Sequence, residues 1–346
     1  MNPNLDDVKL LQNVQVAQLS IFAFVFVLGV WGNIVVIVTI FTHKPLRSAS
    51  NYFIANLAVS DLGGLCLSMP LAALQHFVDW PFGDFACRFV SPLKDLFLNV
   101  SMITLTAIAI DRYVHIAHPF AAKLSHFKVK LVIAMIWLVD YLLVALPIAP
   151  VMRVQTIGNG IRICVPMWSA QHRRITIVCL VGIIFLSLFV TAFAYLGVCI
   201  ALRQQRKRIV QRARDSRGQE KIYSRQLEKN AKTVKVMMAI VVAFWISALP
   251  LTLFGLLNEF QALKRLTSTE FSVTAFAFIT LLFFQNCINP IILYMLSKEM
   301  RSGFAVCAGC RAADKRDSFT QSRNQTMHGI DRACSYDTCQ RRGVGV

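Results

Sequence analysis

The chain has 346 residues, 56% of them hydrophobic and only 16% charged, whereas a soluble domain of this length carries about 25% charged residues. It belongs in a membrane. The formal net charge of +18, from 36 Lys and Arg against 18 Asp and Glu, does not mark a nucleic-acid binder, because the bases crowd into alternate connections between apolar runs.

The first segment, 1–17, reads MNPNLDDVKLLQNVQVA and is polar and acidic. It lacks the basic n-region of a cleavable signal and leads into a span-length apolar run, so the first span is expected to serve as an uncleaved insertion signal. Apolar runs long enough to cross a hydrocarbon core, about 20 residues each, recur near 18–42, 52–76, 89–110, 129–150, 175–202, 233–257 and 271–296. Each span must satisfy its backbone hydrogen bonds internally, and these runs are too long and too evenly apolar for alternating barrel strands. The predicted fold is therefore an all-α membrane protein, one seven-transmembrane helix bundle over 18–296.

Topology follows from the bases. THKPLRSAS lies between spans one and two, Lys123, Lys128 and Lys130 between three and four, and RQQRKRIVQRARDSRGQEKIYSRQLEKNAKTVK between five and six. Together with the basic tail these connections are cytoplasmic by the positive-inside rule, which puts the N-terminus outside. The connection at about 151–174 dissents: it holds Arg153, Arg162, Arg173 and Arg174 although it is external, so those arginines are expected to meet a ligand. Its segment RVQTIGNGIRICVP reads as a hairpin turning at Gly-Asn-Gly.

Ten cysteines show no metal-ligand spacing. Cys87 and Cys164 both fall in external segments, where an oxidising exterior allows them to pair; two free thiols are the alternative. Cys66, Cys179, Cys199 and Cys287 lie within spans and are expected to be packing residues. After span seven, SKEMRSGFAV at 297–306 reads as a short amphipathic helix 8, with Met300 and Phe304 on one face. Cys307 and Cys310 follow as juxtamembrane candidates for palmitoylation, against the alternative of inert thiols. The rest of 307–346 is polar and expected to be disordered.

Charged groups inside the bilayer cost about 2.5–3.5 kcal/mol each on insertion scales, so each asks for a partner or a purpose. Asp61 in NLAVSDLGG is the deepest, and Asn33, Ser101, Asn286 and Asn289 supply polar atoms able to converge on it. Such a shell suits a sodium ion or a proton, with a structural hydrogen-bond knot as the alternative. Pro250 and Pro290 interrupt the helical ladder and act as bends. At the cytoplasmic end of span three, Asp111 is placed to hold Arg112 in a resting state, and release offers a cation to an intracellular partner. Exposed pairs of this kind are worth about 1 kcal/mol or less; an anchoring charge pair is the alternative.

Taken together, GN at 32–33, NLAVSD at 56–61, Trp80 in WPFGDFAC, DRYVHIAHPF at 111–120, Trp137 with Pro147, Tyr195 and NPIILY at 289–294 resemble class A, rhodopsin-like G protein-coupled receptors over about 18–306. The resemblance implies that Arg112, with Asp111, Tyr113 and Tyr195, engages a heterotrimeric G protein. It implies a Cys87–Cys164 bridge, and a sodium site of Asp61, Ser101, Asn286 and Asn289. It implies an activation switch of Phe244, Trp245, Pro250, Asn289, Pro290 and Tyr294, and it adds receptor kinases and arrestin as partners. Three positions depart from the family: Ala248 replaces the tryptophan before Pro250, Leu293 takes the tyrosine place with Tyr294 one residue late, and Ser187 replaces the span-five proline. Atypical transmission is expected, as strong basal activity or as weak coupling.

Two helical turns below Cys87 on the same face stands Lys94. Aminergic relatives usually carry an aspartate there, and a lysine repels an ammonium; Asp95, about 100° away, keeps an amine reading open. Span seven contains no lysine, which argues against a retinal Schiff base. Lys94 and Asp95, with Arg162, Glu259 and Lys264 at the rim, suit a carboxylate or the carbonyl-rich end of a peptide. A seal between Lys94 and Glu259 is the alternative, and Asp140 is expected to pack against span three. The N-terminal segment is too short for a hormone-binding domain, so the agonist enters the bundle mouth. A short neuropeptide is the expected ligand, with a lipid or small organic acid second. A transporter would show repeated broken helices, and an enzyme a motif such as HExxH or GxSxG; neither pattern is found.

Overall fold

The computed structural model describes residues 5–43, 46–77, 79–118, 124–158, 160–213 and 220–307. Among them, seven stretches are long and apolar enough to cross a membrane: Val16–Thr42, Ala49–Leu74, Gly83–Ala117, His126–Val151, Ala170–Ile209, Tyr223–Glu259 and Thr269–Leu296. They take up the seven apolar runs in order, and the helix ends are where structure and sequence part. Helix α1 (Leu5–Thr42) begins well inside the segment expected to precede the bundle. No Gly or Pro interrupts LDDVKLLQNVQVAQ, and extending a nucleated helix adds one hydrogen bond per residue fixed.

Span two is helix α2 (Ala49–Gly63), a π-helical turn over Gly64–Ser68, and α3 (Met69–Phe77). Ser48 caps α2 by accepting from the Asn51 N–H at 3.3 Å. Span three joins α4 (Gly83–Phe89) to α5 (Leu93–Ala117), and span four joins α6 (His126–Asp140), a second π turn over Tyr141–Ala145, and α7 (Leu146–Ile148). Each π turn stands directly before a proline-containing turn, at Pro70 and Pro147. A proline ring collides with the carbonyl four residues back, and the wider turn moves that carbonyl aside while the chain keeps running through the bilayer.

Spans five and six are α8 (Ala170–Ala213) and α9 (Glu220–Glu259), and both carry helix far into the basic connection. The residues there are chiefly Arg, Gln and Lys, which are good helix formers. Span seven is α10 (Ser268–Leu296), opened by a capping box of Thr267 and Glu270. The amphipathic helix follows as α11 (Lys298–Cys307), one residue later than expected at each end. Cys310 lies outside the described residues.

Strands β1 (Met152–Ile157) and β2 (Ile161–Pro166) form the expected hairpin, with Met152 opposite Pro166 and Ile157 opposite Ile161. Gly158 and Gly160 turn it at φ of 48° and 89°, a region that disfavours a Cβ. Cys87 and Cys164 are bridged, their Cα atoms 5.6 Å apart. With Trp80 and Met152 they form a small buried cluster that fastens the hairpin to the head of span three. Of the cysteines expected to be packing residues, Cys287 is buried and Cys199 partly so, while Cys66 and Cys179 are exposed on the outside of the bundle.

One polar joint holds three spans. The Asn56 amide donates to Thr104 Oγ1 at 2.8 Å, and the Trp137 indole N–H donates to Asn56 Oδ1 at 2.8 Å, tying α2 to α5 and α6. Asn56→Ala strands both partners in a medium without water, at about 1–3 kcal/mol for each unsatisfied group. In a thermal-unfolding assay of the solubilised protein its midpoint is expected to fall by several degrees, and that of Ser20→Ala, on the exposed face of α1, to stay near the parent.

Candidate functional site

Functional side chains occupy three levels. At the end of span three away from the hairpin Asp111 is buried: Ser50 Oγ donates to its Oδ2 at 2.7 Å, and His115 Nδ1 lies 2.8 Å from its backbone carbonyl and 3.2 Å from its Oδ1. Arg112 Nη2 is 3.5 Å from the same Oδ2, a looser contact, and the buried Arg112 Nε has no hydrogen-bond partner. The acid is fixed and the cation is lightly tethered. Nearby Tyr195 is buried with its hydroxyl unpartnered, and Tyr113 fits beneath Gly197, where a Cβ would lie 2.5 Å from the ring. Gln205 donates to the Ile116 carbonyl at 2.7 Å and closes the end of α5. Sequence reading missed Ser50 and His115; four residues after Asp111, His115 shares its helix face, and that spacing was the available signal.

At the middle level, Asn289 Nδ2 donates to Asp61 Oδ2 at 2.7 Å and Ser101 Oγ to Oδ1 at 3.3 Å, with Ser60 Oγ 2.6 Å from Ser101 Oγ. Asn33, grouped with this shell from the sequence, instead donates to the carbonyls of Asn286 at 2.8 Å and Gly29 at 2.9 Å, and so ties α1 to α10. Gln285, not foreseen, is buried with both amide atoms unpaired, and Asn289 Oδ1 also lacks a donor. Gln285 lies one turn from Asn289 on the same face of α10.

The departures from the family pattern each have a structural counterpart. Ser187 Oγ lies 2.6 Å and Thr191 Oγ1 3.0 Å from Thr106 Oγ1, a hydroxyl cluster joining α5 to α8 where a proline was expected. Phe244 and Trp245 are buried edge to face at 5.4 Å, with Ala248 buried one turn on, ahead of the Pro250 bend. Leu293 is 2% exposed inside the bundle, whereas Tyr294 is 51% exposed and packs on Phe304 at 5.3 Å. Tyr294, expected as a switch residue, thus stands on the outer face of the bundle: α10 runs on past Pro290 as helix, so a one-residue offset turns the side chain by about 100°.

Toward the exterior, a cavity of about 310 Å³ descends from Lys94 and Asp95 past Phe97, Leu98 and Leu251 to Ser101, Asn286 and Ser60. It reaches the shell of Asp61. The other rim residues stand apart from it. Glu259 is buried against Arg173 at 3.0 Å and Arg174 at 3.8 Å, so it seals α8 to α9 and does not pair with Lys94. Lys264 is exposed in the turn after α9. Arg162 Nε meets Asp79 Oδ2 at 3.1 Å, and the Arg162 backbone N–H also donates to Asp79. Partial desolvation opposes ionisation of Asp79, but these Arg162 donors prevail and hold its carboxyl below the ordinary carboxylate range. Asp140, the last residue of α6, is buried with Oδ2 unpartnered.

A family model described as 7 transmembrane receptor (rhodopsin family) matches residues 32–293. The chain belongs to that family. This receptor is 33% identical over 307 residues to the mouse substance-K receptor, covering 85% of this chain and 76% of that one. It is 30% identical over 307 residues to the rat galanin receptor type 1, covering 86% and 83%. The crystal structure of squid rhodopsin superposes with a TM-score of 0.73 at 22% identity, covering 89% of this chain and 91% of that one, a likeness of fold. The receptor is a multi-pass plasma-membrane protein of class A that couples to G proteins, a signalling protein and not an enzyme.

The tether on Arg112 can be tested without agonist. Asp111→Asn removes the charge that tethers Arg112, so the released population is expected to rise severalfold. Agonist-free nucleotide exchange on a G protein, normalised to surface expression, reads the rise; unchanged exchange would show that Asp111 does not restrain Arg112.

Proposed function

We propose that the receptor binds a short extracellular neuropeptide in the bundle mouth and relays its arrival to a heterotrimeric G protein through Arg112. The observation that carries this reading is the cavity that joins Lys94 and Asp95 to the shell of Asp61. A peptide presents both signs of charge and many carbonyls, and the mouth presents a cation and an anion side by side above apolar walls. The bridged hairpin holds the mouth open from above, with Arg162 anchored on Asp79. Relatives named for substance K and galanin favour the same ligand class.

In this reading the N-terminus is extracellular, in line with the basic connections, and receptor kinases and arrestin act on the cytoplasmic side. Asp61, Ser101, Asn286 and Asn289 hold a sodium ion, and Gln285 joins them. Carboxylate, hydroxyl and amide oxygens are the donors a hard cation takes, and the unpaired oxygens of Gln285 and Asn289 fit that demand. A bound sodium supplies positive charge to balance Asp61; the chain's own residues orient the carboxylate and keep hydrocarbon away from it. The apolar side chains that α10 adds to the cavity, Leu282 and Phe283, favour a lipid carboxylate as the second reading.

A screen of peptide pools on cells expressing the receptor, read by calcium and cyclic AMP together, tests the ligand class. With an active peptide in hand, Lys94→Ala is expected to lower potency about tenfold or more, as a charged hydrogen bond is worth about 1.5–3 kcal/mol. Lys264→Ala is expected to change it little. The reverse order would move the binding site up to the rim, and activity from fatty acids but no peptide would favour the lipid reading.

A further inference from the structure

A second cavity, on the outer face of the bundle, is used by none of the steps above. It is a groove of about 610 Å³ between α1, α10 and α11, walled by Trp31, Gly32, Pro290, Tyr294, Phe304 and Arg301. Its volume falls within the range of about 300–1,000 Å³ of small-molecule sites. The floor is bare because α1 presses on the bend of α10: a Cβ on Gly32 would lie 2.8 Å from Pro290 Cγ. The walls are aromatic, with Trp31 67% exposed on one side and Tyr294 packed at a tilt against Phe304 on the other. Tyr294 is here because of the one-residue offset in NPIILY, which gives the interior Leu293 and the groove a tyrosine.

The groove belongs to the membrane-spanning part of α1 and α10, so its surroundings are acyl chains. Its cytoplasmic end carries a cation. Arg301 Nη1 donates to the Met295 carbonyl at 3.3 Å, and no carboxylate among the described side chains lies within ion-pair distance of the guanidinium. An apolar slot closed at the membrane surface by an uncompensated guanidinium is complementary to one class of molecule, a lipid with an acyl chain below and an anionic phosphate above. We infer that this groove is a binding site for an anionic phospholipid of the cytoplasmic leaflet, its phosphate on Arg301 and one chain along Trp31, Gly32 and Tyr294. A sterol would fill the apolar part and leave the guanidinium without a counter-charge. Occupancy wedges α1 against the Pro290 bend, beside the joint where Asn33 reaches the Asn286 carbonyl.

The test uses the full-length receptor in micelles doped with equal amounts of phosphatidylserine, phosphatidylcholine and cholesterol, with retained lipid counted by native mass spectrometry. Phosphatidylserine is expected to be retained in preference, and its retention to fall about fivefold in Arg301→Gln. Tyr294→Leu, which keeps Arg301 but removes the ring, is expected to reduce retention of all three lipids. Phe193→Leu, at an exposed position on α8 away from the groove, is expected to match the parent. Equal retention of phosphatidylcholine or cholesterol, or undiminished phosphatidylserine on Arg301→Gln, would overturn the inference. So would an adduct that survives denaturation, since the occupant would then be an acyl chain attached to the receptor itself.

Discussion

Hydrocarbon offers no partner to a buried polar atom, and the cross-links of this receptor are answers to that constraint. Asn33 joins span one to span seven through a backbone carbonyl. Asn56 joins span two to spans three and four. Ser60, Ser101, Asp61 and Asn289 close a circuit through spans two, three and seven. Hydrophobic burial does not drive such helices together, because lipid is as apolar as their side chains. Close packing at small residues such as Gly63 on Phe97 and the polar joints fix the register. The circuit leaves Asn289 Oδ1 without a donor, and Gln285, one turn away on α10, has both amide atoms unpaired, which is what the proposed cation would answer.

Helix α5 is where these joints meet. It carries Lys94 at the cavity mouth, Ser101 on the Asp61 shell, Thr104 on Asn56, Thr106 on the α8 hydroxyl cluster and Arg112 at the opposite end. From position 94 to 112 it spans about 27 Å at 1.5 Å per residue. A ligand that shifts α5 therefore acts on the Asp61 shell, on span five and on the Arg112 tether together. Because the tether is loose and Asp111 is independently held by Ser50, Arg112 can move without its acid following. The hydroxyls of Thr106, Ser187 and Thr191 connect α5 to α8 where the family has a proline, so coupling between those spans runs through side-chain hydrogen bonds and not through a break in the helix.

The architecture was legible because a bilayer imposes a length on every crossing and chemistry on every loop: seven runs, one bridged hairpin and one amphipathic helix were all readable from the chain. Helix ends were not, since a bundle does not stop α8 or α9 where the apolar residues stop. The π turns were hidden because they are local adjustments to Pro70 and Pro147. Asp61 and its partners on spans three and seven were found, as charge inside a span is conspicuous. Partners that depend on the approach of distant segments were missed: Ser50 on Asp111, Asp79 on Arg162, and Arg173 with Arg174 on Glu259, which takes that acid away from Lys94. The offset of Tyr294 was visible as a number, but only the packing of α10 on α1 and α11 gave it a direction.

On the proposed function, Asp61 sits at a cation-binding joint that helps hold the bundle in register. The direct measurement is the unfolding midpoint of the purified receptor in sodium chloride and in N-methylglucamine chloride of equal ionic strength, for the parent and for Asp61→Asn. The parent is expected to be stabilised specifically by sodium and Asp61→Asn to be indifferent to the exchange. Equal midpoints for the parent in the two salts, or an undiminished sodium effect in Asp61→Asn, would contradict it.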